Sequence, residues 1–394
     1  MEIKGFSFSA VEAGIRYPDR LDLGLIYSDT PCITAGLFTT NQVKAAPVLI
    51  DKERLKSGYA QAILVNSGCA NACTGAKGME VARATSGLVS GALGIADDLI
   101  QLSSTGVIGE QLNLEAFERS MSQLVNGLSA DNFERVAQAI MTTDTVQKIA
   151  GITVDIGGKE VKIMGMAKGA GMIMPNMATM LAFIFTDARI NFPELHSSLV
   201  QGADRTFNRI TIDGDTSTND MVLVMANGTA ENPWIDGDSP QDRQQFQDGL
   251  ESVLKDLALQ IVSDGEGATK TITIRVTGAK ENAEAEKIAR TIATSSLVKT
   301  AFFGEDANWG RIFAAMGRSG VRFSPDSVDL SFGDVLLVKN GLCLGTEAEA
   351  EATKVLKEKN ITVVIDLHDG PGCEEVYTCD FSIDYVKINA DYRS

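Results

Sequence analysis

From Gly169 to Phe185 the chain reads GAGMIMPNMATMLAFIF, a run without one charged side chain, and this constrains the fold more than any other stretch. So much apolar surface has to be buried, yet the run carries Pro175 and Asn176 in its middle and falls short of the roughly 18 unbroken apolar residues of a membrane helix. Proline cannot sit inside a helix without losing a hydrogen bond. The segment therefore reads as a buried loop leading into a core strand that starts near Met180. A chain of 394 residues, 44% hydrophobic and 22% charged, has the material for such a core. Its length predicts two or three domains, and its composition excludes general disorder, collagen and a disulfide scaffold.

The flanking sequence mixes strands and helices without a strict strand–helix–strand alternation. Strands are expected at residues 21–28, 33–40, 46–50 and 61–66, by length and apolar content. Helical spacing follows through Val81, Ala84, Leu88 and Ala92, again at 113–128, and from Ser129 through Phe133, Val136 and Ile140. A hairpin is expected around Gly157-Gly158, with strands at 152–156 and 161–164. Beyond a helix at 193–207, Ser239-Pro240 is a helix start, because the hydroxyl caps and proline suits the first turn. Later strands are expected at 271–276, 327–332, 361–367 and 381–388, with helices from Glu281 and at 347–357. A boundary near residue 279 would separate a main domain, 1–279, from a smaller α/β domain, 280–394.

The formal net charge is −17, which repels a phosphate backbone and argues against nucleic-acid binding. The first residues, MEIKGFSFSAVEAGIRYPD, show no apolar signal-peptide core, and no segment suits a membrane span. Six cysteines and two histidines, His196 and His368, leave little for a metal site; Cys69 and Cys73 lack zinc-knuckle spacing. Reduced thiols in the cytoplasm are expected. There is no G-x-S-x-G elbow and no P-loop, and the KGAG run at Lys168 is too short for a dinucleotide fingerprint. Asp213, Asp215 and Ser217 alternate as in a calcium loop, but Thr218 and Val224 occupy the positions that need glycine and a bidentate glutamate.

What remains is the segment MAKGAGMIMPNMATML from Met166. On spacing alone a glycine-rich turn feeding a core strand accounts for it. The sharper reading makes Thr179 a nucleophile at the head of a strand. A threonine hydroxyl needs a base, and as the first residue of a new chain its own α-amine, with a pKa of about 7.7–8.0, can serve. That requires cleavage of the Ala178-Thr179 bond, by attack of the Thr179 hydroxyl on the open carbonyl of Ala178.

This segment closely resembles the cleavage region of the ornithine acetyltransferases, the bifunctional glutamate N-acetyltransferases of arginine biosynthesis. The resemblance extends over nearly the whole chain, through LVNSGCANACTG from Leu64, SSTGVIG from Ser103, MTTDT from Met141, FNRITIDGDTSTND from Phe207, DGEGATK from Asp264, GEDANWGRI from Gly304 and the terminal KINADYRS. It implies stacked sheets flanked by helices, similar to N-terminal-nucleophile enzymes of the D-aminopeptidase type, with a smaller C-terminal α/β domain. It implies self-cleavage into residues 1–178 and 179–394, which stay together, paired as α2β2. The oxyanion donors it implies are the Thr105 hydroxyl and the Gly106 N–H. The substrate-binding residues are Thr142, Lys168, Thr179, Glu266, Asn389 and Ser394, with Thr142 preferred to Thr143 by motif register alone. Lys168 would meet the substrate carboxylate and Glu266 the ornithine amino group. The tail residues would require an ordered C-terminus.

The implied reaction is a ping-pong transfer: Thr179 takes acetyl from N2-acetylornithine as an ester, and glutamate then accepts it. It needs no metal or cofactor. Acetyl-CoA is a second donor open to such enzymes, although no CoA pocket is evident in the sequence. Two rivals stand beside this reading: an aminopeptidase or amidase of the same architecture, which passes the acyl group to water, and a non-catalytic acidic binding protein.

Overall fold

The computed structural model describes residues 1–174 and 180–391. In chain order the elements are β1 (Phe6–Val11), β2 (Leu23–Phe38), α1 (Ala46–Arg54), β3 (Tyr59–Asn66), α2 (Gly75–Leu93), β4 (Ile100–Ser104), α3 (Leu114–Asn126), α4 (Phe133–Ala139), β5 (Lys148–Ile156), β6 (Lys159–Lys168), β7 (Leu181–Thr186), α5 (Phe192–Arg205), β8 (Ile210–Thr211), β9 (Met221–Ala226) and α6 (Pro240–Ser263). They continue as β10 (Thr271–Ala279), α7 (Asn282–Ala293), α8 (Ser296–Phe303), α9 (Trp309–Gly317), β11 (Asp329–Phe332), β12 (Val335–Lys339), β13 (Leu342–Cys343), α10 (Thr346–Val355), β14 (Asn360–Asp366), β15 (Gly372–Cys379) and α11 (Ile383–Ala390). The chain divides into two compact units, Met1–Asn208 with Asp215–Ile261, and Arg209–Gly214 with Val262–Ser394.

In the first unit the two strands expected at 21–28 and 33–40 form one long strand, β2. Its register against β3 shifts between Tyr27 and Cys32, and such an irregularity bends a strand. Before the bend β2 pairs with β1 and β3; after it, Cys32 and Ile33 still meet β3 while Ile33–Phe38 pair with β9. The eight-stranded sheet therefore runs β4-β3-β2-β9-β7-β6-β5, with β1 also on β2. Its two halves share one core, in which Phe6, Phe8, Ile63 and Val65 meet Met164, Met166, Phe183, Phe185, Leu223 and Met225. Phe185 stands edge-on to Phe8, ring centroids 5.4 Å apart, and tilted against Phe6 at 5.2 Å.

Helices cover the outer faces. Val81 of α2 and Phe117 and Leu124 of α3 pack with Leu25, Leu64 and Leu102. On the other side α6 lies close enough that a Cβ added at Gly165 of β6 would come within 3.1 Å of Leu257. The first unit is thus stacked sheet halves flanked by helices, as expected of this fold class. The hairpin at Gly157-Gly158 forms as expected, both glycines having positive φ, and α6 starts at Pro240.

Two expected strands are helices. Residues 46–50 begin α1, where Pro47 sits in the first turn and costs no hydrogen bond. Residues 381–388 form most of α11, started by Ser382, whose hydroxyl accepts from the N–H groups of Asp384 and Tyr385.

The second unit holds a mixed seven-stranded sheet, β13-β12-β11-β14-β10-β15-β8. Ile288 and Ile292 of α7, Phe302 of α8 and Ile312 of α9 share its core with Ile274, Val363 and Val376. The division at Ile261 falls before the boundary expected near residue 279. The physical reason is pairing: β10, which ends at Ala279, joins β14 on one side and β15 on the other, so it belongs to the second sheet's interior. β8 joins β15 as well and takes Arg209–Gly214 with it. No described helix is long and apolar enough to cross a membrane.

Phe185→Ala is expected to destabilise the first unit by about 3–5 kcal/mol, since it leaves a cavity between the two sheet halves. The change is read from the urea-unfolding midpoint, and a loss below about 1 kcal/mol would refute the shared core as a source of stability.

Candidate active site

The last residue of β6 is Lys168, opposite Leu181 at the start of β7. Its side chain is mostly buried, and a buried ammonium needs acceptors and a counter-charge. Nζ donates to the Thr142 hydroxyl at 2.8 Å and to the Thr105 hydroxyl at 3.3 Å. Three residues singled out from separate motifs, in MTTDT, SSTG and MAKGAG, therefore meet at one point. Of the two adjacent threonines it is Thr142 whose hydroxyl receives the lysine.

Asp144 supplies the counter-charge. Its carboxylate accepts from Lys148 Nζ at 2.7 Å, the Gly169 N–H at 2.6 Å and the Thr142 N–H at 3.0 Å. Burial alone would raise its pKa, but the charges of Lys168 and Lys148, with these hydrogen bonds, hold it down at about 2. One carboxylate thus fixes the turn carrying Thr142, the end of β6 and the start of β5. Sequence reasoning named neither Asp144 nor Lys148, although both lie in or just beyond the MTTDT motif.

Thr105 and Gly106 form the turn that follows β4. Thr105 N–H donates to Asn66 O at 3.0 Å, and Val107 N–H to Gly68 O at 3.2 Å. Between them Gly106 has φ of 128°, and a Cβ there would lie 2.3 Å from the carbonyl carbon of Gly68, so only glycine fits. Among the described residues its N–H has no hydrogen-bond partner. Two asparagines that sequence reasoning left without a role hold the turn. Asn66 accepts from the Ser104 hydroxyl at 2.7 Å and donates to Cys69 O at 2.9 Å. Asn219 Nδ2 donates to Ala70 O at 2.6 Å and Ser104 O at 2.7 Å. Their signal was present, since LVNSGCAN and TSTND were among the recognised landmarks.

In the second unit Asn389 of α11 donates to the Glu266 carboxylate at 2.8 Å, so these two predicted residues also come together. Gly267 has φ of 68°, and a Cβ there would meet Tyr385 N at 2.5 Å; glycine lets α11 approach this closely. The Ser382 hydroxyl donates to Gly267 O at 2.6 Å and ties the start of α11 to the same turn. Ala178, Thr179 and Ser394 lie outside the described residues.

The charge cluster makes a pH-dependent prediction. A carboxyl whose folded pKa is depressed stabilises the fold above its unfolded pKa, and that contribution is lost as pH falls through the folded value. Asp144 should therefore contribute fully at neutral pH and lose its contribution between about pH 4 and pH 2. Asp144→Asn, which leaves the buried Lys148 without its anion, should cost about 3–5 kcal/mol at pH 7. Urea titrations should show the gap to wild type narrowing as pH drops below 4; a gap independent of pH would contradict this assignment.

The chain matches the model of the ArgJ family over residues 7–394. It is 68% identical to the arginine biosynthesis bifunctional protein ArgJ of Desulfotalea psychrophila and 52% identical to the protein of that name in Geobacter sulfurreducens, each over the full length of both chains. Among solved structures it resembles the arginine biosynthesis bifunctional protein ArgJ of Bacillus halodurans, 46% identical with a TM-score of 0.51. That match covers 53% of this chain and 97% of the solved one. With nearly every residue inside the family model and full-length relatives at this identity, the chain belongs to the ArgJ family.

Proposed function

We propose that this chain is the acyltransferase of arginine biosynthesis that moves acetyl from N2-acetylornithine to glutamate through an ester on Thr179, after cutting itself between Ala178 and Thr179. The observation that carries the reading is the convergence of Lys168, Thr142 and Thr105, beside a glycine N–H with no described partner, at the strand head that Thr179 precedes in sequence. Lys168 attracts a carboxylate and favours the neutral form of a nearby amine. Thr105 and Gly106 offer two donors to an oxyanion, and each such donor is worth roughly 10²–10³ in rate. Glu266, steadied by Asn389, offers a carboxylate to the cationic amino group of ornithine. Ser394 completes the binding set, and no cofactor takes part.

In the first half-reaction the Thr179 hydroxyl attacks the acetyl carbon while its amine takes the proton. Collapse of the intermediate returns that proton to the departing amine of ornithine. Glutamate then repeats the sequence in reverse. Self-cleavage draws support from the solved Bacillus halodurans chain, which spans only about half of this one. The two fragments stay together as α2β2 in the cytoplasm.

Incubation with labelled N2-acetylornithine and glutamate should yield labelled N-acetylglutamate; free acetate alone would make the protein an amidase. One fragment should begin TMLAF on N-terminal sequencing. Thr179→Ala should stay one full-length chain without transfer activity, and a full-length active protein would remove the threonine from its role. In already cleaved enzyme Thr105→Val should lower kcat by roughly 10²–10³ with little change in KM; a change confined to KM would reassign Thr105 to substrate binding.

A further inference from the structure

A cavity of about 510 Å³ lies beside Thr142 in the first unit. That is the size of a pocket that holds a small ligand. Two guanidinium groups, of Arg20 and Arg135, line it. Arg20 Nη2 donates at 2.6 Å to the carbonyl of Met141, the residue before Thr142, and Arg135 Nη2 donates to Ala10 O at 3.2 Å. Among the described residues neither arginine forms an ion pair. Asp22 is near enough to feel the charge of Arg20, but its carboxylate is taken up by the N–H groups of Ala13 and Ile15, at 2.7 and 2.6 Å. Asp144, also on the cavity wall, is spent on Lys148 and the Gly169 N–H. Glu12 and Asp19 are the other acids of the lining, and both are exposed, where water and salt screen them. The half-buried Arg20 is therefore a cation with donors to spare.

We propose that this cavity receives the side chain of glutamate, with Arg20 on its side-chain carboxylate, an inference that rests on the acetyl transfer proposed above. The two amino acids of that reaction exchange the same acetyl group, yet their side chains end in opposite charges. A carboxylate such as Glu266 suits the ammonium of ornithine and repels the carboxylate of glutamate, so the acceptor needs a cation of its own. A guanidinium presents a planar fork of N–H donors that matches a carboxylate, and Met141 O occupies only one nitrogen of Arg20. The cavity also adjoins the other cation of the site. Lys168 donates to the Thr142 hydroxyl, Thr142 follows Met141, and Arg20 holds Met141 O. Little more than one residue of backbone separates the two cations, an interval that a five-carbon dicarboxylate spans with one carboxylate at each end. The same guanidinium repels the ammonium end of ornithine, so Arg20 sorts the two substrates by charge.

The test compares the two half-reactions in purified Arg20→Leu and Arg20→Lys enzyme. In a ping-pong reaction kcat/KM for each substrate reports its own half-reaction. Losing a hydrogen bond between charged groups should lower kcat/KM for glutamate roughly 10–100-fold in Arg20→Leu. The value for N2-acetylornithine should change less than about threefold. The preference for glutamate over glutamine as acceptor should fall at least about tenfold in the same variant, and Arg20→Lys, which keeps the charge, should retain part of it. A residue that only supports the fold would impair both half-reactions alike and leave that preference as it was. Either of those results would overturn the proposal, and so would a fall in kcat/KM for glutamate of less than about tenfold. If thermal melting shows that Arg20→Leu does not fold, Arg20→Lys decides alone: a loss confined to glutamate supports the proposal, and an equal loss in both half-reactions refutes it. If neither variant folds, Arg20 is structural and the proposal falls. A wild-type enzyme that passes no acetyl to glutamate would instead sink the acetyl-transfer reading itself.

Discussion

A buried ammonium at the end of a strand sets the terms for the first unit. Lys168 is mostly buried at the end of β6, where water solvates it poorly, so its surroundings have to supply acceptors and a negative charge. They come from residues far apart in sequence: Thr105 after β4, Thr142 after α4, and Asp144, which also binds Lys148 at the start of β5. Each partner fixes a backbone segment as well as a charge. The same lysine is thus a structural organiser and, in the proposed chemistry, the group that meets a carboxylate.

The stacked halves of the sheet make this meeting possible. β3 and β4 bring Asn66, Ser104 and Thr105 from one half; β6, β7 and β9 bring Lys168, Met180 and Asp220 from the other. The bent strand β2 belongs to both halves, and the Phe6, Phe8 and Phe185 rings hold them together. Asn219 then bonds across the divide, from the loop before β9 to the carbonyls of Ala70 and Ser104. Side-chain amides and glycines, with little apolar surface of their own, shape the loops, while the strands carry the core.

Local chemistry made several elements legible. Glycine at two successive turn positions specified the β5–β6 hairpin, and Ser239-Pro240 specified the start of α6. Residues 46–50 misled because a short apolar run is equally good as a buried strand or as one face of a helix. Residues 381–388 also misled as an expected strand: Ser382 caps a helix whose Ile383 and Val386 stay exposed. The domain boundary was displaced because hydrogen bonding between β10, β14 and β15, distant in sequence, is invisible to local patterns.

By itself the sequence determined the family, through motifs spread along nearly the whole chain, and most helix starts, because these depend on residue type and short-range spacing. The tertiary structure decided that β2 crosses both halves of the sheet, that Asp144 and Lys148 support Lys168, and that Asn219 ties the loop before β9 to Ala70 and Ser104. Those outcomes depend on which strands pair and which charges share a low-dielectric interior, and only the folded chain brings such groups within bonding distance.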